Sequence, residues 1–139
     1  MHCRDHAVQL DRAHSEFEAA GLGLTLIGQV SPRHAAHFRR RQGIELPVLA
    51  DRTRESYRAA GAKVATMNEL VGPSSFVKGV GRTLGSGGKT RQGKVVGHPA
   101  QLGGVLLIEQ DGNVAWSRMS DNAGDNASPE EILEAATSL

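Results

Sequence analysis

Apolar positions near the start of the chain fall at three- and four-residue steps: Ala7, Leu10, Ala13 and Phe17, with Asp5, Asp11, Arg12, Glu16 and Glu18 between them. That period lays one apolar stripe along a helix and predicts one over residues 4–20. Carried one step back, the stripe reaches Cys3, which is then expected on the inward face. Gly21 suits the left-handed position that closes such a helix. The pattern then changes. Residues 22–30, LGLTLIGQV, form a nearly unbroken apolar run, as in a strand covered on both faces. Ser31 and Pro32 have the chemistry of a helix start: a hydroxyl that accepts from a free N–H, then a residue with no N–H to satisfy. In that helix Ala35 and Phe38 face inward. Arg39, Arg40 and Arg41 gather at its carboxyl end, where the dipole favours cations, and Gly43 closes it. Residues 46–50 read as a short strand, at an edge because of Pro47. Asp51 caps a third helix through Ala60, stopped by Gly61.

Helix, strand, helix, strand, helix in alternation implies a parallel sheet with helices on its faces. Residues 71–98 lose the pattern and read as a glycine-rich insertion loop. GVLLIEQDGNVAWSRM then gives two strands around Asp111-Gly112, a hairpin signature. DNAGDNASPEE is dense in turn residues. Ser128 and Pro129 open a last helix with Glu130 and Glu131 in its first turn. The expected fold is α/β, one domain over residues 1–139.

Composition narrows the function classes. A chain of 139 residues supports one hydrophobic core rather than two. A net charge of +1 makes no demand for an acidic partner. No run approaches the ~18 apolar residues of a membrane span, and no basic-then-apolar leader is evident. The single cysteine excludes an internal disulfide framework and makes the reducing cytoplasm the expected compartment.

Four patterns invite chemistry. His2, Cys3 and His6 could cluster on a metal, but zinc needs three or four protein ligands and no second Cys/His pair follows. The histidines read instead as solvated. Gly88-Lys89-Thr90 matches the end of a phosphate loop, yet Thr83 stands where its first glycine belongs and no helix signal follows. Residues 71–98 carry Lys78, Arg82, Lys89, Arg91 and Lys94, with no acid from Glu69 to Glu109. Phe76 is the only aromatic there, so nucleic acid is a poor partner and a solvated cover over the site is the better reading. Asp121, Asn122, Asp125, Asn126 and Glu130 lack the spacing of a calcium loop.

CRDHAVQL, GLGLTLIGQ, ELPVLAD with RESYRAAG, and above all GKVVGHPAQLGGVLLIEQDGNV together resemble the peroxiredoxin-like proteins of the alkyl hydroperoxide reductase/thiol-specific antioxidant group. The likeness runs over essentially the whole chain. Gln101-Leu102-Gly103-Gly104 before an apolar strand, and Gly124-Asp125-Asn126 before the last helix, are its more specific parts. It implies a thioredoxin-like three-layer sandwich, a mixed sheet ending in a β-hairpin. The first, central strand of that plan is missing from the chain as given. A strand from upstream residues, or one swapped from a second copy in a homodimer, would fill its slot.

Such proteins carry C-x-x-C-R at the end of that strand. Cys3-Arg4 matches the second cysteine and the arginine. The first would fall just before Met1, so Met1 is expected to be an internal methionine of a longer frame. Cys3 then takes the resolving role, attacking a mixed disulfide or sulfenic acid, and Arg4 stabilises a thiolate. The resemblance puts Gln101, Leu102, Gly103 and Gly104 beside the substrate, the glycines letting backbone come close. It implies a peroxide or disulfide substrate, a thioredoxin- or glutathione-type reductant, and no cofactor. Gly103 stands where typical members hold an arginine that polarises the peroxide. Two rivals follow: a catalytically silent binding module that uses the basic loop, and an NADPH-dependent prostaglandin-type reductase, for which no dinucleotide fingerprint is present.

Overall fold

The computed structural model describes residues 2–65 and 100–139, with the side chain of His2 excepted. In chain order they form α1 His2–Arg12, α2 His14–Ala19, β1 Leu26–Gly28, α3 Pro32–Gln42, β2 Val48–Ala50, α4 Glu55–Ala59, β3 Gly104–Ile108, β4 Val114–Met119 and α5 Pro129–Thr137. The insertion expected over residues 71–98, with its Gly88-Lys89-Thr90 run, lies outside the described residues.

The first helix is not continuous as its apolar stripe predicts. It breaks at Ala13, and the cause is a side chain. His14 Nδ1 lies 2.5 Å from the Asp11 carbonyl, inside the hydrogen-bond ladder, which kinks a helix. The Asp11 carboxylate is drawn away too, accepting from the Glu45 and Leu46 N–H groups at 2.9 and 3.0 Å. α3 matches its sequence signals. Ser31 Oγ accepts from the His34 N–H at 3.3 Å, Pro32 takes the first turn, and Gly43 closes the helix at φ 65°. α5 repeats the device, with Ser128 Oγ accepting from the Glu131 N–H at 3.1 Å.

The strand read over residues 22–30 shortens to Leu26–Gly28. β1 pairs in parallel with β2 in the register Leu26↔Val48, Ile27↔Leu49, Gly28↔Ala50. Leu26 N–H reaches the Pro47 carbonyl and Asp51 N–H reaches the Gly28 carbonyl. Leu26 and Gly28 therefore turn their main-chain groups toward β2, and Ile27 turns its carbonyl to the opposite edge. β3 and β4 form the expected hairpin, antiparallel from Gly104↔Met119 to Ile108↔Val114, with a bulge after Leu107 and Gly112 at φ 91° in the turn. Among the described residues the two ladders share no pairing hydrogen bond.

One core joins them. Leu10, Ala13 and Phe17 of the kinked first helix meet Ala127 and Ile132 at the other end of the chain. Leu24 and Leu26 pack on this cluster from one ladder, and Val105, Leu107 and Trp116 from the other. Phe17 and Ile132 are each 1% exposed, and side chains of that size contribute about 1.5–3 kcal/mol apiece when fully buried. The acidic run after β4 has a structural use. Arg118 donates through Nη1 and Nη2 to Asp125 at 3.2 and 2.8 Å, and through Nε to Glu131 at 2.7 Å. Asp125 also accepts from the Asp121 N–H. The strand, the turn and α5 are thus tied at a single guanidinium, which holds the Asp125 carboxyl below its usual range.

Candidate active site

Cys3 sits in the first turn of α1 and is exposed, not inward. The stripe it extends is real further along, where Leu10, Ala13 and Phe17 are buried, but burial fades toward the helix start. No described element covers that first turn. Arg4 is exposed as well. His6, expected to be solvated, instead anchors α1: its Nε2 lies 2.7 Å from the Ala127 carbonyl and donates to it. Among the described residues no three His, Cys, Asp or Glu side chains converge as a metal would require.

A residue that the sequence does not single out lies within electrostatic range of the sulfur. Tyr57, on α4, is half-buried, and its hydroxyl donates to the Ile27 carbonyl at 2.9 Å. It also accepts from the Gln29 N–H. The phenol thus caps the edge of β1 that faces away from β2. Its pKa lies above the usual value, chiefly because burial disfavours the phenolate, and next because the Cys3 thiolate charge is near enough to oppose it. This electrostatic coupling links Cys3 to α4.

The start of α4 is built for position. The Asp51 carboxylate accepts from the Glu55 and Ser56 N–H groups at 3.2 and 2.9 Å, and from the hydroxyls of Thr53 and Ser56. These bonds lower the Asp51 pKa, the Ser56 hydroxyl contributing most. Asp51 therefore serves the cap read from sequence, but from four residues ahead of the helix. Arg54 fills the last position before it in a left-handed conformation, φ 59°, unusual for a residue with a side chain. Arg54 Nη1 donates to Gln101 Oε1 at 3.3 Å.

That contact brings in the Gln-Leu-Gly-Gly turn. Gln101 is 8% exposed and fully engaged, its Nε2 donating to the Lys63 and Leu102 carbonyls at 3.2 and 2.9 Å. Leu102 is buried. Gly103 is open: a Cβ there would meet nothing within 4 Å. Gly104 differs from its expected use. A Cβ on it would lie 2.5 Å from Met119 Sδ and 2.8 Å from the Arg118 carbonyl, so the glycine admits the neighbouring strand rather than a ligand.

Tyr57 thus lies within electrostatic range of Cys3, while Arg54, the residue before α4, bonds to Gln101. Arg54 and Tyr57 were legible only as a three-residue spacing behind an Asp cap. No helix among the described residues is long and apolar enough to cross a membrane. No curated protein matches the chain. A family model matches residues 9–122, spanning all four strands and the Gln101–Gly104 turn but beginning beyond Cys3 and Arg4. It describes the AhpC/TSA antioxidant enzymes, whose plan is thioredoxin-like, and the chain belongs to that family.

Proposed function

We propose that this chain is a thiol-dependent oxidoreductase of the peroxiredoxin-like type, with Cys3 in the resolving position of a two-sulfur exchange and, acting on its own, also able to attack a disulfide or hydroperoxide directly. Membership in a family of antioxidant enzymes carries the reading. The exposure of Cys3 supports it, because an external sulfur or peroxide can reach the thiolate. On a disulfide, the Cys3 thiolate bonds to one sulfur and expels the other as a thiolate. On a hydroperoxide, it bonds to the outer oxygen, the O–O bond breaks, and the departing alkoxide takes a proton. The resulting sulfenic acid condenses with a thioredoxin- or glutathione-type thiol, losing water. A second thiol attacks the partner's sulfur in that mixed disulfide, forming a disulfide with the partner and expelling Cys3 as its thiolate. The scheme uses sulfur alone and suits a reducing cytoplasm.

Arg4 is the cation adjacent in sequence. Arg54 is the one we assign to face the substrate, in place of the arginine that Gly103 replaces. Its contact is to a neutral amide, and no carboxylate pairs with it among the described residues. The Gln101–Gly104 turn forms the far wall, with Gly103 its open point. A thioredoxin-like plan also calls for a central strand between β1 and β3. The shared core of the two ladders supports that berth, to be filled by a further segment or by a second copy, either of which would have to displace the Tyr57 hydroxyl from the Ile27 carbonyl.

The test is thiol kinetics. Reduced protein is mixed with hydrogen peroxide, cumene hydroperoxide or a small aromatic disulfide, and sulfur oxidation is followed beside a Cys3→Ser control. Cys3 should react faster than free cysteine at the same pH, and should turn over when thioredoxin or glutathione is added. A rate equal to free cysteine, with no turnover, favours the silent binding module, a reading that Gly103 in the arginine position already recommends.

A further inference from the structure

α3 has a charge pattern that the redox reading leaves unused. Its eleven residues hold Arg33, Arg39, Arg40, Arg41, His34 and His37 and no acid, in a chain whose net charge is only +1. Arg39 is committed, donating to the Ile44 and Glu45 carbonyls. Arg33, Arg40 and Arg41 are exposed, and no acid pairs with them among the described residues.

Beside this helix lies an open apolar groove of about 400 Å³, walled by Pro32, Ala35 and Ala36 of α3 and by Val48 and Leu49 of β2, with Arg40 at its lip. Leu49 is 53% exposed. β2 pairs only with β1 among the described residues. Its pairing register turns the main-chain groups of Leu49 toward β1, so those of Val48 and Ala50 point outward. No described residue hydrogen-bonds to them. An outward row of donors and acceptors and an apolar hollow thus lie together, with the unpaired Arg40 at its lip and Arg33 seven residues earlier on the same side of α3.

We propose that the β2 edge and α3 form a docking site for an extended acidic segment of a partner protein, which adds a strand to β2. Its main chain pairs with Val48 and Ala50. An apolar side chain enters the hollow. Flanking carboxylates meet Arg33 and Arg40. This is strand addition, with affinity from main-chain bonds and selectivity from alternate side chains. A second copy of this chain is a poor occupant, because edge-to-edge pairing about a two-fold axis brings two acid-free arginine helices together.

The probe is a fluorescein-labelled octapeptide of alternating glutamate and valine, titrated with the full chain and read by anisotropy. Saturable binding is expected, weakening steeply with salt. It should fall at least tenfold, roughly the effect of one lost charge-assisted bond, in an Arg33→Glu/Arg40→Glu variant. Both side chains are exposed, so the variant should keep the wild-type circular dichroism spectrum. N-methylation of alternate peptide amides should abolish binding, and a lysine–valine peptide should not bind. The proposal is overturned by no saturation with the acidic peptide, or by equal binding of the N-methylated one. It is also overturned if oligothymidylate or anionic phosphatidylserine vesicles bind this face in the peptide's stead, or if sedimentation shows a dimer that the charge reversal leaves intact.

Discussion

Removing the hydroxyl of Tyr57 takes away the donor that satisfies the Ile27 carbonyl and unpins α4 from β1. Ile27 is 47% exposed, so water can replace the lost donor, and Tyr57→Phe should cost no more than the ~1 kcal/mol net worth of a hydrogen bond, a small drop in urea midpoint with an unchanged slope. Gly104 makes a sharper case. An added methyl would sit 2.5 Å from Met119 Sδ and 2.8 Å from the Arg118 carbonyl. The thioether can swing aside, whereas the strand backbone cannot. Gly104→Ala should therefore destabilise by about 1–3 kcal/mol, the usual cost of overpacking, while Gly103→Ala meets no neighbour and stays near neutral. Thermal unfolding of the two variants side by side decides it. Neither glycine declares its use in the sequence, where the pair looks like one device. The difference between them is made by Met119, fifteen positions further on in the hairpin register.

The elements that could be read were those whose start and stop are written in local chemistry. Ser31-Pro32 to Gly43 and Ser128-Pro129 onward place their own caps, and Asp111-Gly112 turns its own hairpin. The elements that went astray depend on distant residues. The break at Ala13 follows from a His14–Asp11 contact that also engages Glu45, and the apolar run over residues 22–30 pairs only where β2 meets it. The inward placement of Cys3 failed for the same reason: a stripe specifies a face, but the packing partner decides how far along it burial extends. Two caps also set a pH response. Asp51 at α4 and Asp125 between β4 and α5 both have pKa values depressed below the ordinary 3.8. A depressed carboxyl contributes stability that is fully present above its unfolded pKa and is lost as pH falls through its folded one. Stability should therefore decline on acidification from about pH 4 downward. In Asp51→Asn and Asp125→Asn variants that decline should be shallower. Denaturation midpoints measured across the acid range check it, and an unchanged slope in both variants would refute the assignment.

At the scale of the molecule, the alternation of elements made the fold class legible, and the Gln-Leu-Gly-Gly turn made the family legible. The pairings around α4 were not, since Tyr57 bonds to Ile27, thirty residues earlier, and Arg54 to Gln101, forty-seven residues later, and these meet only in the folded chain. Tyr57 is the only tyrosine in the chain, and it is electrostatically coupled to the only cysteine. The protein thus carries a built-in optical gauge of its own sulfur. Capping Cys3 with a neutral alkyl group deletes a negative neighbour, so the phenol should ionise at a lower pH than in the untreated protein. An ultraviolet absorbance titration reads this directly, without dye or label, and two superimposable curves would mean that the aromatic ring does not sense the thiolate at all.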